Sequence, residues 1–189
     1  GGDSMTPETR QRRHIPSRDT SAYAEISFSV ALARAMRPSP DYDTSRWLFV
    51  PNVDCDWRYL LGTRGANPLF RSGNGYDSFV MFNVYAQRAT APETMERAFN
   101  PALHRENLEA FRYALSLSPH PAIWAAWGNL IESRPFLRNC ARDLLPIAAE
   151  AGAVWLRCGP VSKKGHPHHP LYLRADEPLL PYDPAQSVG

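Results

Sequence analysis

Ser78-Phe79-Val80-Met81-Phe82-Asn83 is a nearly continuous apolar run that stops at an amide. Runs of this kind suit a strand covered on both faces. Two more follow: Ala122-Ile123-Trp124-Ala125-Ala126-Trp127, then Ala153-Val154-Trp155-Leu156-Arg157-Cys158. Residues 93–118 lie between the first two and read as mostly helical, with a break near Asn100-Pro101. Leu103, Leu108, Phe111, Leu115 and Leu117 supply their buried stripe. Residues 130–150 form a second helical region, with Pro135 near its start and Pro146 as a break. Strand, helix, strand, helix, strand calls for parallel strands joined by right-handed crossovers. The fold class is therefore α/β.

Upstream, Arg46-Trp47-Leu48-Phe49-Val50 reads as a strand and Pro51 to Asp56 as a loop with two carboxylates, Asp54 and Asp56. Trp57-Arg58-Tyr59-Leu60-Leu61-Gly62 reads as a second strand, and an N-terminal β-hairpin is the economical arrangement for the pair. Asp19-Thr20-Ser21 caps a helix running to about Met36, ended by Pro38 and Pro40. Residues 5–19 form a basic, mobile arm, and Gly1-Gly2-Asp3-Ser4 reads as a tag remnant. Residues 20–189 then make a single domain. The tail from Asp176 is rich in proline and is expected to wrap the surface.

At 189 residues the chain can bury a core without disulfides or metal. Net charge is only +2, so no global footprint for nucleic acid exists. The basic residues are 19 Arg against 2 Lys. A GC-rich genome produces such a bias, so local clusters carry the argument. Cys55, Cys140 and Cys158 are odd in number and widely spaced, which indicates neither a disulfide framework nor a CxxC metal site. A reducing cytoplasm is the simplest compartment. No apolar run approaches a membrane span.

In an open α/β sheet, ligands bind beyond the C-terminal strand ends. Asn83, Gly128-Asn129 and the stretch Lys163-Lys164-Gly165-His166-Pro167-His168-His169-Pro170 all fall at such ends. Asn83 either terminates its strand or reads a nucleobase edge, since an amide both donates and accepts. Arg88, in the loop carrying Gln87 and Thr90, can grip a phosphate through its planar fork. Trp124 and Trp127 face opposite sides of a strand. Trp124 suits the core, and Trp127 is either core or a stacking wall for a base. For His166, His168 and His169 three readings stand: a general acid or donor to a developing anion, a metal site with Cys158, or a structural or exposed role. The flanking prolines favour the rigidity a site needs. Asp54 and Asp56 are either solvated or general bases.

The segments Gly75 to Thr90, Ala125-Ala126-Trp127-Gly128, and Gly165 to Leu173 resemble the family known as domain of unknown function 1643. The likeness covers roughly residues 45–183, and Trp57 to Gly62 also fits. A more distant similarity is to uracil-DNA glycosylases: a strand ending in Asn, a later one ending in Trp-Gly, and a His-Pro loop before Pro-Leu. That likeness implies a three-layer α/β/α fold around a mostly parallel sheet. Asn83 would be the base reader, and one of the three loop histidines would stabilise the departing base anion. Gln87, Arg88, Trp127, Asn129, Lys163 and Lys164 would line the substrate site. Family members carry an Asn-Pro-Ser-Thr-Ala strand end and a Leu-Asp-x-Thr segment between the positions of Phe70 and Asn74, where this chain has only Arg71-Ser72-Gly73. In the glycosylase likeness that strand end holds the water-activating group, so its loss would remove a strand and put catalysis in question.

The expectation is a protein that cleaves the N-glycosidic bond of a normal or modified base in DNA or a nucleotide, without cofactor or metal. The alternative is a non-catalytic nucleotide- or DNA-binding module using the same rim. A metal-dependent hydrolase is the third reading.

Overall fold

The computed structural model describes residues 43–53, 75–76, 78–86, 95–169 and 177–189. Their sheet has five strands in the order β2-β1-β3-β4-β5. These are β1 (Trp47–Asn52), β2 (Ser78–Asn83), β3 (Ala122–Trp124), β4 (Val154–Cys158) and β5 (Leu179–Pro181). The first four are mutually parallel, and β5 runs antiparallel to β4. A mixed sheet with helical crossovers is the α/β fold expected from the run of apolar strands.

Successive strand residues point to opposite faces, and in β1 and β3 both faces are buried. β4, expected as a third buried strand, is only partly covered, with Val154 55% exposed. Leu48, Val50, Met81, Trp124 and Ala126 share one apolar cluster. Phe49, Val80, Phe82, Ile123 and Ala125 join the other, with the residues of the helices. That two-sided burial is why the strands read as unbroken apolar runs. Pro51 lies inside β1, where it can donate no ladder hydrogen bond, and its carbonyl accepts from Ala126 N–H at 3.1 Å.

Helix α1 (Pro101–Ser116) starts where Asn100 Oδ1 accepts from the amides of Ala102 and Leu103, and Pro101 occupies a position whose N–H would have no partner. Its inward stripe includes Leu103, Asn107, Phe111, Ala114 and Leu115. Phe111 meets Phe82 edge to face, with centroids 5.4 Å apart. Burying that ring stabilises the fold by roughly 1.5–3 kcal/mol. After β3 come a 3-10 turn (Gly128–Glu132), α2 (Leu137–Arg142) and α3 (Leu144–Glu150). The expected break at Pro146 falls earlier, at Asp143. Pro146 has no N–H for the carbonyl of Arg142, so the ladder lapses in the preceding turn.

Two expectations are corrected. β1 forms no hairpin: it is flanked by parallel β2 on one side and parallel β3 on the other, so both its edges are taken. Residues 57–62 themselves lie outside the described residues, as do the expected arm and first helix. The C-terminal tail does more than wrap the surface. It supplies β5 and a short helix α4 (Ala185–Val188), with Ser187 and Val188 fully buried. Among the described residues no helix is long and apolar enough to cross a membrane.

Candidate functional site

The strand order reverses at β1, since β2 lies on one side of it and β3 on the other. Parallel sheets open a crevice beyond the strand ends at such a switch point. There the backbone is well tied. Val84 N–H donates to Asn52 O at 2.8 Å, and Ala126 N–H to Pro51 O. The Asn107 side-chain amide, buried on α1, donates to the carbonyls of Asn83 and Val84 at 2.8 and 3.3 Å. Asn52 and Asn83 are register partners, so their side chains leave the same face of adjacent strands at a strand spacing of about 4.8 Å. Asn52 is completely buried, and among the described residues neither its Oδ1 nor its Nδ2 has a hydrogen-bond partner. Asn83 is 9% exposed, with its Oδ1 buried.

The histidine loop meets this edge through Gly128. That glycine has φ +59°, and a Cβ built on it would lie 2.9 Å from the Cβ of His169 and 3.2 Å from its backbone N. The loop therefore lies directly on the turn that follows β3. Within the loop, Ser162 N–H donates to His166 O at 2.8 Å and Gly165 N–H to Ser162 O at 2.9 Å. Gly165 (φ +83°) sits under the carbonyl of Gln186 with no room for a Cβ. The Tyr182 hydroxyl donates to Gly165 O at 3.0 Å.

His166 is hydrogen-bonded at Nδ1, while its enclosed Nε2 makes no hydrogen bond. Nδ1 is 2.5 Å from Ser187 Oγ, and Nε2 is 3.5 Å from Glu132 Oε1. Trp127 Nε1–H donates to the same Ser187 Oγ at 3.0 Å. Ser187, His166 and Glu132 thus form a serine–histidine–carboxylate line. Because Ser187 is fully buried and already accepts from Trp127, the line fastens the loop to the tail and cannot present a nucleophile. Lys164 Nζ pairs with Glu132 Oε2 at 2.7 Å. That hydrogen bond, with a smaller contribution from His166, holds the Glu132 carboxyl below its ordinary range. Burial pushes the Tyr182 hydroxyl and the Cys158 thiol each up to about 12.

The expected site residues are distributed as follows. Asn83 and His169 stand at the same end of the sheet, linked through Pro51, Ala126 and Gly128. His168 is half-buried, with its Nδ1 enclosed and without a partner. Trp127 is fully buried with its ring against Trp155, centroids 6.0 Å apart, so it offers no accessible face for stacking. Asn129 and Lys163 are exposed, and Lys164 is occupied by Glu132. Gln87, Arg88, Asp54, Asp56 and residues 70–74 lie outside the described residues. Sequence reading missed Asn52, Asn107, Glu132 and Ser187. Asn52 carried a usable signal, an apolar run ending in Asn like that of β2, but Pro51 made it read as loop.

These features define an α/β protein with a polar rim at the C-terminal ends of its parallel strands. The chain belongs to the family described as "Protein of unknown function (DUF1643)", whose model matches residues 67–171. No curated protein and no solved structure matches it. The matched stretch carries β2, α1, β3, β4 and the histidine loop, while β1 and β5 lie outside it.

Proposed function

We propose that the protein binds a nucleobase at this rim and cleaves its N-glycosidic bond, in DNA or in a nucleotide. The observation that carries the reading is the pair of strand-end carboxamides, Asn52 and Asn83, side by side at the switch point. A carboxamide offers one donor and one acceptor in a plane, which matches the edge of a base. In this reading Asn83 reads the base. His169, seated on the turn after β3, donates to the anion that develops as the base leaves. His166 is held at Nδ1 by Ser187 Oγ. Lys163 at the exposed lip attracts phosphate, and Arg88 with Gln87 completes the grip. A base within duplex DNA would have to flip out to reach the rim. The distant similarity to uracil-DNA glycosylases supports the same assignment.

The test is base release from oligonucleotides and free nucleotides carrying normal, deaminated and alkylated bases, read by chromatography. His169→Ala should lower the rate by the roughly hundredfold or more typical of a lost oxyanion donor. Activity unaffected by replacing His166, His168 and His169 together would sink the mechanism. One observation favours a non-catalytic binding module instead. Among the described residues of the rim, the carboxylate present is Glu132, and Lys164 and His166 already occupy it. Salt-dependent binding with no released base would establish that reading.

A further inference from the structure

Single exposed apolar side chains are ordinary on a protein surface, so an exposed ring matters only through where it stands and how it is held. Among the described residues the large apolar side chains left exposed are Phe99, Tyr113 and Val154. Val154 opens β4 and Tyr113 lies in the last turn of α1, both at the sheet end away from the rim. Phe99 stands at the rim end, and two chains of contact tie it to Asn83. Tyr85, two residues beyond Asn83, meets the Phe99 ring with centroids 5.8 Å apart, and its hydroxyl accepts from Asn100 N–H at 2.9 Å. Asn107, which donates to Asn83 O, lies one turn along α1 from His104, whose ring is 5.5 Å from that of Phe99. Phe136 closes a third side at 5.4 Å. The backbone leading in is fixed as well, since the Arg134 guanidinium donates to Met95 O and Glu96 O at 3.2 and 3.3 Å.

Phe99 precedes the Asn100 cap and packs on the fourth helical residue, the placement of a hydrophobic staple. A staple is served by an apolar side chain of any shape. It does not require a ring that three other rings hold in place while 42% of it stays open to solvent. The charges around it lean one way. Arg97 and Arg105, close to the ring in sequence, are exposed and make no ion pair among the described residues. The carboxylates of these segments are engaged: Asp143 with His104 at 2.8 Å, Glu132 with Lys164, and Glu96 and Glu106 are not free either.

We infer that Phe99 is a stacking platform for a base of single-stranded nucleic acid, with Arg97 and Arg105 on the flanking phosphates. The ligand of the rim is then a polymer, one base entering beside Asn83 while its neighbour lies on Phe99. This rests on the base-binding reading above and adds to it the class of ligand. Stacking on a fixed ring tolerates any sequence, because every base has a π-face. It offers nothing to a free nucleotide, whose single base is already at the rim.

Fluorescence anisotropy with a labelled single-stranded DNA of about 12 nucleotides tests this, beside calorimetric titration with AMP, GMP, CMP and UMP and thermal unfolding without ligand. The proteins are wild type, Phe99→Leu, Phe99→Trp, Arg97→Gln combined with Arg105→Gln, and Tyr113→Leu as an exposed aromatic control. Phe99→Leu keeps the staple, so its Tm and its mononucleotide affinities should match wild type while oligonucleotide affinity falls at least about fivefold. Phe99→Trp should bind the oligonucleotide as tightly as wild type or tighter, and Tyr113→Leu should bind it like wild type. The double arginine variant should flatten the slope of log affinity against log salt by about 1.4, at roughly 0.7 for each phosphate contact. Wild-type oligonucleotide affinity in Phe99→Leu overturns the inference. So does a wild type that binds no oligonucleotide, the result expected if the ring docks another protein or only caps α1. Should Phe99→Leu fail to fold, the arginine variant decides: a flattened slope upholds the polymer-binding surface, and an unchanged one overturns it. The two readings fail separately. Oligonucleotide bound through Phe99, with no mononucleotide bound and no base released, keeps the platform and removes the base-binding reading. Mononucleotide bound, with Phe99→Leu at wild-type oligonucleotide affinity, does the reverse.

Discussion

Gly128→Ala should unseat the histidine loop, and Gly152→Ala is its internal control. Both glycines are left-handed, at φ +59° and +66°. A side chain in that region costs roughly 1–2 kcal/mol at either position, and the loss of unfolded-state freedom on adding a methyl is common to both. They differ in surroundings. A Cβ at Gly152 meets nothing within 4 Å, whereas one at Gly128 comes within 2.9 Å of His169 Cβ and 3.2 Å of its backbone N. Carbon atoms rest about 3.5–4.0 Å apart, so the loop backbone must move by more than half an ångström. Overpacking of this kind costs roughly 1–3 kcal/mol. At roughly 2–4 °C per kcal/mol for a chain of this size, Gly128→Ala should melt about 2–12 °C below Gly152→Ala. Adding His169→Gly, which removes the opposing Cβ, should recover most of that gap in a double-mutant cycle. Differential scanning calorimetry on the variants measures it. Equal Tm values for the two alanine variants would refute the seating of His169 on the turn after β3.

Three further outcomes are expected. Ser187→Ala leaves the enclosed Trp127 Nε1–H and His166 Nδ1 without their shared partner, and should cost about 2–4 kcal/mol in urea unfolding. The Glu132 carboxyl is held below its ordinary value of 4.5, chiefly by Lys164. Its contribution is therefore present above that value and lost as pH falls through the lowered one, so acid unfolding curves of wild type and Glu132→Gln should converge in that window. Burial pushes the thiols of Cys140 and Cys158 up to about 12. Since the thiolate is the nucleophile, iodoacetamide near neutral pH should label neither until the protein unfolds, and peptide mapping would reveal early modification of either.

The strands were legible because burial on both faces writes a contiguous apolar run into the chain, as in Val80 to Phe82 and Ala122 to Trp124. Asn100-Pro101 was legible only as a break within a helical stretch from residue 93, whereas it caps the start of α1 and residues 95–100 are not helical. Strand order was not legible, because nothing local in Trp47 to Asn52 says that its neighbours lie 31 and 74 positions away in the pairs Trp47–Ser78 and Phe49–Ile123. The hairpin expectation failed for that reason: proximity in sequence stood in for pairing. For the site, the amide at the end of β2 and the His-Pro loop were visible as residue types out of place. The hold on His166 was not, since Ser187 sits in an unremarkable Gln-Ser-Val tail and only β5 and α4 bring it inward. Trp127 shows the limit from the other side. An aromatic residue at a strand end reads equally well as wall or core, and its indole bond to Ser187 put it in the core.

Among the described strands β1 is the bridge between the two parts of the sheet, since β2 pairs with β1 alone and β3, β4 and β5 continue from the opposite edge. Neither part can close until this segment has arrived, and it must be joined from far along the chain on both sides. Such non-local closure is slow and all-or-none. Assembly of the sheet should accordingly wait on Trp47–Asn52. The amides of β1 should be the last to exchange with deuterium, opening only when the whole sheet comes apart.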